Sequence, residues 1–113
     1  MSFNLAIAVD DLPEVGADKV DIDGQAVAVV RAEDGSIHAV DDVCSHANVS
    51  LSEGEVEDCA IECWLHGSRF DLRTGAPTSL PATAPIAVFP VLVQDGKVLV
   101  DVGAPLPAFS KEN

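Results

Sequence analysis

Basic residues are scarce in this chain, which has 6 Lys and Arg against 19 Asp and Glu and a formal net charge of −13. Binding to nucleic acid needs a basic face that neutralises phosphates, so this class of partner is excluded. The scarcity is most marked in residues 41–62, where seven acids occur without a single Lys or Arg. A field of one sign over such a segment would steer a basic partner surface towards it.

Long apolar runs are also missing. A membrane-spanning helix needs roughly 18 consecutive apolar residues, and no such run occurs, so we expect no membrane association. The N-terminus has neither a basic n-region nor a twin-Arg pair, and we therefore expect a cytoplasmic protein. With 113 residues, of which 48% are hydrophobic and 22% charged, the chain has the size and composition of one globular domain, which we predict over residues 1–113.

Cysteine and histidine are few, with three of each. An odd number of Cys without an export signal argues against a disulfide framework. Cys59 is predicted to lie in a strand as a small buried apolar residue. In a strand its Cα would be about 13 Å from that of Cys63, beyond the ~7 Å that a disulfide tolerates. His38 also falls in a predicted strand, where we expect a structural role.

The apolar pattern predicts an all-β chain. Asp-Gly pairs at residues 23–24, 34–35 and 95–96 separate Val- and Ile-rich runs, which is a strong hairpin signal. The predicted strands cover residues 3–9, 19–22, 25–31, 36–40, 86–93 and 97–102.

Between these two β blocks lies a segment of different character, about residues 41–85, with fewer β-branched runs. We interpret it as a subdomain inserted into a β sandwich or barrel, with a turn at residues 73–75. Helix signals are weak throughout. Residues 10–15 have room for one short helical turn, for which Asp11 is the predicted cap.

The inserted segment contains two motifs with metal-ligand chemistry, Cys-Ser-His at residues 44–46 and Cys-Trp-Leu-His at residues 63–66. Each motif offers one thiolate and one imidazole. Together they suit a [2Fe-2S] centre with two Cys on one iron and two His on the other. Zinc is the alternative, because it also binds two Cys and two His. Zinc fingers, however, usually take the Cys pair from one element and the His pair from another, so the mixed motifs favour iron and sulfur.

The segment CSHANVSLSEGEVEDCAIECWLHGSRFDLRTG resembles the cluster-binding segment of bacterial Rieske ferredoxins, which serve ring-hydroxylating dioxygenases and related non-haem iron oxygenases. The resemblance is strongest over residues 43–81 and looser from about residue 3 to residue 101. It implies the Rieske iron–sulfur fold and one [2Fe-2S] cluster. It also implies that Cys44 and Cys63 bind the inner iron, and that His46 and His66 bind the outer iron near solvent.

The same resemblance gives roles to five neighbours of these ligands. Gly67 would let the backbone approach the cluster, the Ser68 hydroxyl would lie near a cluster sulfide, and Pro81 would belong to a loop that covers the cluster from a third side. Trp64 would either shield the cluster or form part of a docking surface. Leu65 stands where respiratory Rieske proteins have a disulfide Cys, and we therefore expect a reduction potential at the low end of the Rieske range.

The function implied by the resemblance is that of a soluble, monomeric one-electron carrier rather than an enzyme. It would accept electrons from a flavin-dependent ferredoxin reductase and pass them to a terminal non-haem iron oxygenase. The segment also resembles ferredoxin-like proteins encoded beside iron–sulfur assembly genes, so an assembly system is the alternative acceptor. A catalytic oxygenase subunit would need a mononuclear iron with two further His and a carboxylate. Only His38 remains for such a site. The small subunit of nitrite reductases shares the fold but often lacks the ligands.

Overall fold

The computed structural model describes residues 3–44, 49–65, 67–78, 84–103 and 105. In these residues the chain forms ten strands and two short 3₁₀ helices, at Val9–Asp11 and Leu51–Glu53, and the all-β prediction is confirmed. The strands are β1 (Asn4–Ala8), β2 (Gly16–Ile22), β3 (Gln25–Arg31), β4 (Ile37–Asp41), β5 (Val56–Glu57), β6 (Ala60–Glu62), β7 (Arg69–Asp71), β8 (Val88–Phe89), β9 (Val91–Gln94) and β10 (Lys97–Val100).

The strands pair into three antiparallel sheets, with orders β2-β3-β4-β8, β1-β10-β9 and β5-β6-β7. Strand β3 shows how the sheets are layered. Val27 and Val29 pack into one apolar cluster, whereas Ala28 and Val30 pack into another, and all four are fully buried. Because successive side chains of a strand point to opposite faces, the four-stranded sheet is the middle layer of the molecule.

The three predicted hairpins are present. Asp23-Gly24 joins β2 to β3 and Asp95-Gly96 joins β9 to β10, with positive φ at both residues of each pair. Positive φ at both positions defines the type I′ turn for which Asp-Gly is suited. Asp34-Gly35 lies instead in a longer loop between β3 and β4, which is closed by the Ala32 N–H donating to the Ser36 carbonyl at 2.9 Å.

The predicted strand at residues 86–93 was wrong in one respect, since Pro90 divides it into β8 and β9. Proline has no N–H to donate to a ladder, and here the chain passes from the middle sheet to the β1-β10-β9 sheet. The predicted cap at Asp11 was also wrong. The 3₁₀ helix begins earlier, after Ala8, and Asp11 lies inside it without a side-chain cap at its start.

A further hairpin, which has a tight two-residue turn at Asp58-Cys59, joins β5 to β6. Both residues have positive φ, 54° and 59°, so the prediction that Cys59 lies in a strand was wrong. Its side chain is half-buried rather than buried. A left-handed backbone at a residue other than Gly costs about 1–2 kcal/mol, so Cys59 occupies a position where Gly would be favoured.

A membrane-spanning helix requires a long, continuous apolar segment. Over the part of the chain that the structure describes, no helix has that length and composition.

Candidate metal centre

The two cysteines of the predicted ligand set follow strands and are buried together. Cys44 comes after β4 and is 3% exposed, and Cys63 comes directly after β6 and is 0% exposed. Both belong to one apolar cluster with Leu51 and Phe70, on the face of the middle sheet that the β5-β6-β7 sheet covers. The fold therefore brings the two motifs, which are far apart in sequence, to one buried position.

Each cysteine closes its own loop in the same way. The Cys44 N–H donates to the Val49 carbonyl at 3.1 Å, and the Cys63 N–H donates to the Ser68 carbonyl at 2.6 Å. In both cases the acceptor lies five positions after the Cys, and the His of the motif falls inside the loop. The two loops are thus matched in length and closure, as expected for two halves of one binding site.

Asp42 fixes the entry to the first loop, a role that sequence analysis missed. Its backbone N–H donates to the Ala26 carbonyl at 3.2 Å, and its carbonyl accepts from the Leu51 N–H at 2.6 Å. Its Oδ1 accepts from the Ser52 N–H at 2.9 Å, at the start of the 3₁₀ helix. The side chain is 1% exposed. An Asp placed directly after a buried strand, where it can bond to backbone N–H groups, was the available signal.

The neighbours of the second ligand pair differ in burial: one is half-buried, one is fully buried and two are exposed. Gly67 has φ of +78° and donates its N–H to the Cys63 carbonyl at 2.8 Å, and Ser68 is fully buried. Trp64 and Leu65 are 50% and 45% exposed. Sequence analysis left shielding or docking open for Trp64, and this exposure favours docking.

The predicted turn at residues 73–75 is present and holds the chain beyond the second loop. Asp71 Oδ1 accepts from the N–H groups of Arg73 and Thr74 at 2.7 and 3.3 Å, and the Gly75 N–H donates to the Asp71 carbonyl at 2.7 Å. The Gly75 carbonyl in turn accepts from the Ile86 N–H at 2.9 Å. This last bond anchors the chain on the far side of the predicted proline loop.

Three predicted site residues, His46, His66 and Pro81, lie outside the described residues. Of the four predicted ligands, only Cys44 and Cys63 are therefore placed. Among the placed residues, no three His, Cys, Asp or Glu side chains come together as a metal site.

The acids of residues 41–62 do not contribute equally to a surface field. Glu53, Glu55 and Asp58 are exposed. Glu57 is also exposed but forms an ion pair with Arg69, with Oε1 and the guanidinium nitrogen 2.7 Å apart. Asp42 is buried. Within the described residues, Glu53, Glu55 and Asp58 have no ion-pair partner, whereas Asp41 and Glu62 are half-buried.

His38 lies in β4, as predicted, and contacts the third cysteine. Its Nε2 is 2.8 Å from Ser36 Oγ and 3.6 Å from Cys59 Sγ. Burial lowers the pKa of the His38 imidazole and raises the pKa of the Cys59 thiol, so both side chains are held in their neutral forms. All three cysteines are described, and no disulfide joins them.

Comparison with known proteins identifies the class. A family profile described as the Rieske [2Fe-2S] domain matches residues 2–90, and the chain belongs to this family. It is 46% identical over 103 residues to the 3-phenylpropionate/cinnamic acid dioxygenase ferredoxin subunit of Photorhabdus laumondii, covering 90% of this chain and 96% of that protein.

Two solved structures show the same fold. The ferredoxin of carbazole 1,9a-dioxygenase from Nocardioides aromaticivorans aligns with a TM-score of 0.82 and 37% identity, over 95% of this chain and 99% of that one. A chain in the complex of reduced oxygenase and oxidized ferredoxin in carbazole 1,9a-dioxygenase aligns with a TM-score of 0.80 and 37% identity, over 87% of this chain and 91% of that one.

The protein is therefore a Rieske ferredoxin, an electron carrier with one [2Fe-2S] cluster rather than a catalytic subunit. The predicted family, fold and cofactor are confirmed. The placed residues fit this cofactor, because Cys44 and Cys63 supply two thiols from matched loops inside one buried apolar cluster. Thiolate ligands of an iron–sulfur cluster need such rigid, water-poor surroundings.

Proposed function

We propose that Cys44 and Cys63 bind one iron of the cluster and that His46 and His66 bind the other. The matched closure of the two loops, each of which begins at a buried Cys of the same apolar cluster, supports this proposal. The bound cluster would supply the chemistry of reversible one-electron uptake. The thiolates would lie on the buried side, and the imidazoles would give the electron its route to the surface.

The surrounding residues position and cover the cluster. Gly67, with its positive φ and its bond to Cys63, would keep the second loop close to the cluster, and the buried Ser68 would orient its hydroxyl there. Pro81 would cover a third side. Trp64 and Leu65 would form the apolar part of the docking surface. These elements make up a cluster-binding subdomain of about residues 41–85 within a single domain of residues 1–113.

The protein would carry electrons in the cytoplasm, as a monomer, from a flavin-dependent ferredoxin reductase to a terminal non-haem iron oxygenase. The similarity to a dioxygenase ferredoxin subunit supports this acceptor, as does the solved complex of an oxygenase with its ferredoxin. An affinity purification from the native host would test it. Recovery of iron–sulfur assembly proteins in place of an oxygenase would assign the alternative acceptor.

The first prediction concerns the metal content. Protein purified without air should contain about two irons and two acid-labile sulfides per chain and negligible zinc, because two Cys and two His ligate a Rieske cluster. Metal analysis and the EPR spectrum of the reduced protein measure this. Stoichiometric zinc with no Rieske EPR signal would contradict the ligand proposal.

The second prediction concerns association with the oxygenase. Neutralising Glu53, Glu55 and Asp58 together, by substitution with Gln, Gln and Asn, should slow the second-order rate of electron transfer and flatten its dependence on salt. These acids are exposed in the acidic segment between the two motifs, and such charges act mainly on the association rate. At ~0.15 M ionic strength the screening length is about 8 Å, so added salt removes the steering. Stopped-flow mixing across a salt series measures both effects.

A matched control removes the same charge from the opposite face. Asp10, Asp11 and Asp95 are exposed at one end of the β1-β10-β9 sheet, which packs on the other side of the middle sheet. Their triple replacement with Asn should change the rate much less. Equal effects of the two triple variants would mean that the association rate depends only on the net charge of the protein. The position of docking would then be set by the apolar surface of Trp64 and Leu65.

A further inference from the structure

Asp42 carries a buried carboxylate oxygen that has no hydrogen-bond partner. The side chain is 1% exposed, and its Oδ1 accepts from the Ser52 N–H at 2.9 Å. Its Oδ2 is buried as well, and no group among the described residues bonds to it. Burying a carboxyl oxygen without a bond opposes folding, and such exceptions are few in native proteins. The unpaired Oδ2 is therefore a reason to look for a function at this position.

The side chain of Asp42 faces the same apolar cluster as Cys44. Val40 and Cys44 both belong to that cluster, whereas Ala39 belongs to the cluster on the other side of the middle sheet. The chain stays extended beyond β4, because Val43 forms an antiparallel bridge to the chain directly after the first loop. Successive side chains of an extended chain alternate between faces, so Asp42 lies between Val40 and Cys44 on the side of the buried thiols.

Backbone bonds on both sides hold this carboxylate in place. The Asp42 N–H donates to the Ala26 carbonyl at 3.2 Å, and the Asp42 carbonyl accepts from the Leu51 N–H at 2.6 Å. Leu51 is itself fully buried in the same apolar cluster. Neither ion pair of the described residues involves Asp42, so no cation in that part of the chain neutralises it. The carboxylate is thus fixed in apolar surroundings, away from water.

A negative charge held in this place makes reduction of the cluster less favourable. Reduction adds one electron, and a carboxylate nearby repels that added charge. Two residues of extended chain separate the Cα atoms of Asp42 and Cys44 by about 7 Å. At an effective dielectric constant of about 20, a unit charge about 10 Å away changes such an equilibrium at least about tenfold. Salt screens a buried charge much less than an exposed one, so the effect should persist at high ionic strength.

We propose that the Asp42 carboxylate is a fixed negative charge that lowers the reduction potential of the cluster. The proposal rests on the proposed ligand set, since it needs Cys44 and Cys63 to bind the cluster. In the reduction, one electron passes from the reductase to the cluster, while Asp42 exchanges neither an electron nor a proton. The residue adds to the low potential expected from Leu65, and it makes the reduced carrier a stronger electron donor to its acceptor.

The experiment compares cluster-loaded Asp42→Asn and Asp42→Thr with the unmodified protein, by spectroelectrochemical titration without air at neutral pH. Asn keeps an oxygen acceptor for the Ser52 N–H, and Thr offers a hydroxyl acceptor in a smaller side chain. Both variants remove the charge, so both should raise the equilibrium constant for reduction at least about tenfold, which is a rise of about 59 mV in the midpoint for one electron. A change of packing would not shift the two midpoints alike. An unchanged or lowered midpoint in either variant would overturn the proposal.

Asp41→Asn is the matched control. Asp41 is the preceding residue, but it is half-buried and pairs across the sheet with Val27, which belongs to the other apolar cluster. Its replacement removes an equal charge from the opposite face, so the midpoint should move much less, and the movement should shrink with added salt. The shifts of the Asp42 variants should stay the same across that salt series. Equal shifts in the Asp41 and Asp42 variants would mean that net charge alone sets the potential, and would overturn the role of Asp42.

Two further readouts separate this proposal from the ligand proposal and from the folding of the variants. The Rieske EPR signal of the unmodified protein tests the ligand set, whereas an intact signal with an unchanged midpoint in the Asp42 variants contradicts only the role of Asp42. In unmodified protein with ¹³C-labelled aspartate, the infrared difference spectrum between the two redox states should contain a carboxylate band, and this measurement does not depend on either Asp42 variant loading a cluster. The band should persist in Asp41→Asn. Its absence from the unmodified protein, or its loss in Asp41→Asn, would overturn the proposal.

Discussion

Chains in which Cys44 or Cys63 is replaced by Ala should purify without a Rieske cluster and with a much lower thermal midpoint. Both thiols lie in the apolar cluster between the middle sheet and the β5-β6-β7 sheet, so a missing ligand leaves these layers without their metal link. Metal-binding energy is also folding energy in a site that is not preformed in the unfolded chain. Iron content, visible absorbance and the thermal midpoint by circular dichroism measure the losses. Alanine at His46 or His66 should likewise prevent normal cluster assembly.

Cys59→Ala is the matched control, since it removes the same thiol from the same part of the fold. Cys59 lies at the tip of the β5–β6 turn, where it contacts His38 and packs against the edge of the apolar cluster. The variant should keep the full iron content and an unchanged EPR spectrum. A bleached Cys59 variant would mean that the wrong thiol has been assigned to the cluster.

Local patterns in the sequence were sufficient to predict those hairpins in which the turn residues themselves determine the backbone conformation. The Asp-Gly pairs predicted hairpins because their backbone suits type I′ turns, and Asp23-Gly24 and Asp95-Gly96 adopt them. The hairpin at Asp58-Cys59 was missed because Cys stands where Gly is expected. Pro90 was a visible break, but only the structure shows that the chain changes sheets there.

The structure places Cys44 and Cys63 of the predicted ligand set in one buried cluster, while the full ligand set stays a prediction. Cys and His carry distinctive chemistry, and their spacing in two mixed motifs is enough to indicate an iron–sulfur centre. The burial of Asp42 and the pairing of Glu57 with Arg69 depend on which strands become neighbours. Charge alone assigned both acids to a surface field, whereas exposure in the structure is found for other acids of the segment, such as Glu53 and Glu55.

Gly54→Ala should destabilise the protein strongly, although it adds only one methyl group. Gly54 has φ of −88°, which any residue adopts, so the reason is space rather than backbone conformation. A Cβ at this position would overlap the backbone carbonyl of Glu62, the residue before Cys63. The Glu62 N–H donates to the Glu55 carbonyl at 2.8 Å, and the Gly54 N–H donates to the Leu51 carbonyl at 2.9 Å, so neither backbone is free to withdraw.

The added methyl group must therefore separate the 3₁₀ helix that follows the first loop from the strand that leads into the second. Overpacking costs about 1–3 kcal/mol when side chains can yield, and here the obstacle is backbone, so we expect about 3 kcal/mol or more. In a domain of this size that lowers the thermal midpoint by more than about 10 °C. The cluster should also be lost at a lower temperature, because the segment after the first loop and the strand before the second are forced apart. Thermal melts followed by circular dichroism and by cluster absorbance measure the two effects.

Gly103→Ala is the control for the loss of a glycine as such. A Cβ there would lie 3.4 Å from Asp101 Oδ1, which is an ordinary contact. The thermal midpoint of this variant should therefore stay close to that of the unmodified protein. If Gly54→Ala behaved in the same way, the backbones at Gly54 and Glu62 would be able to part without loss. The expected overlap between a Cβ at Gly54 and the Glu62 carbonyl would then not determine the stability of the protein.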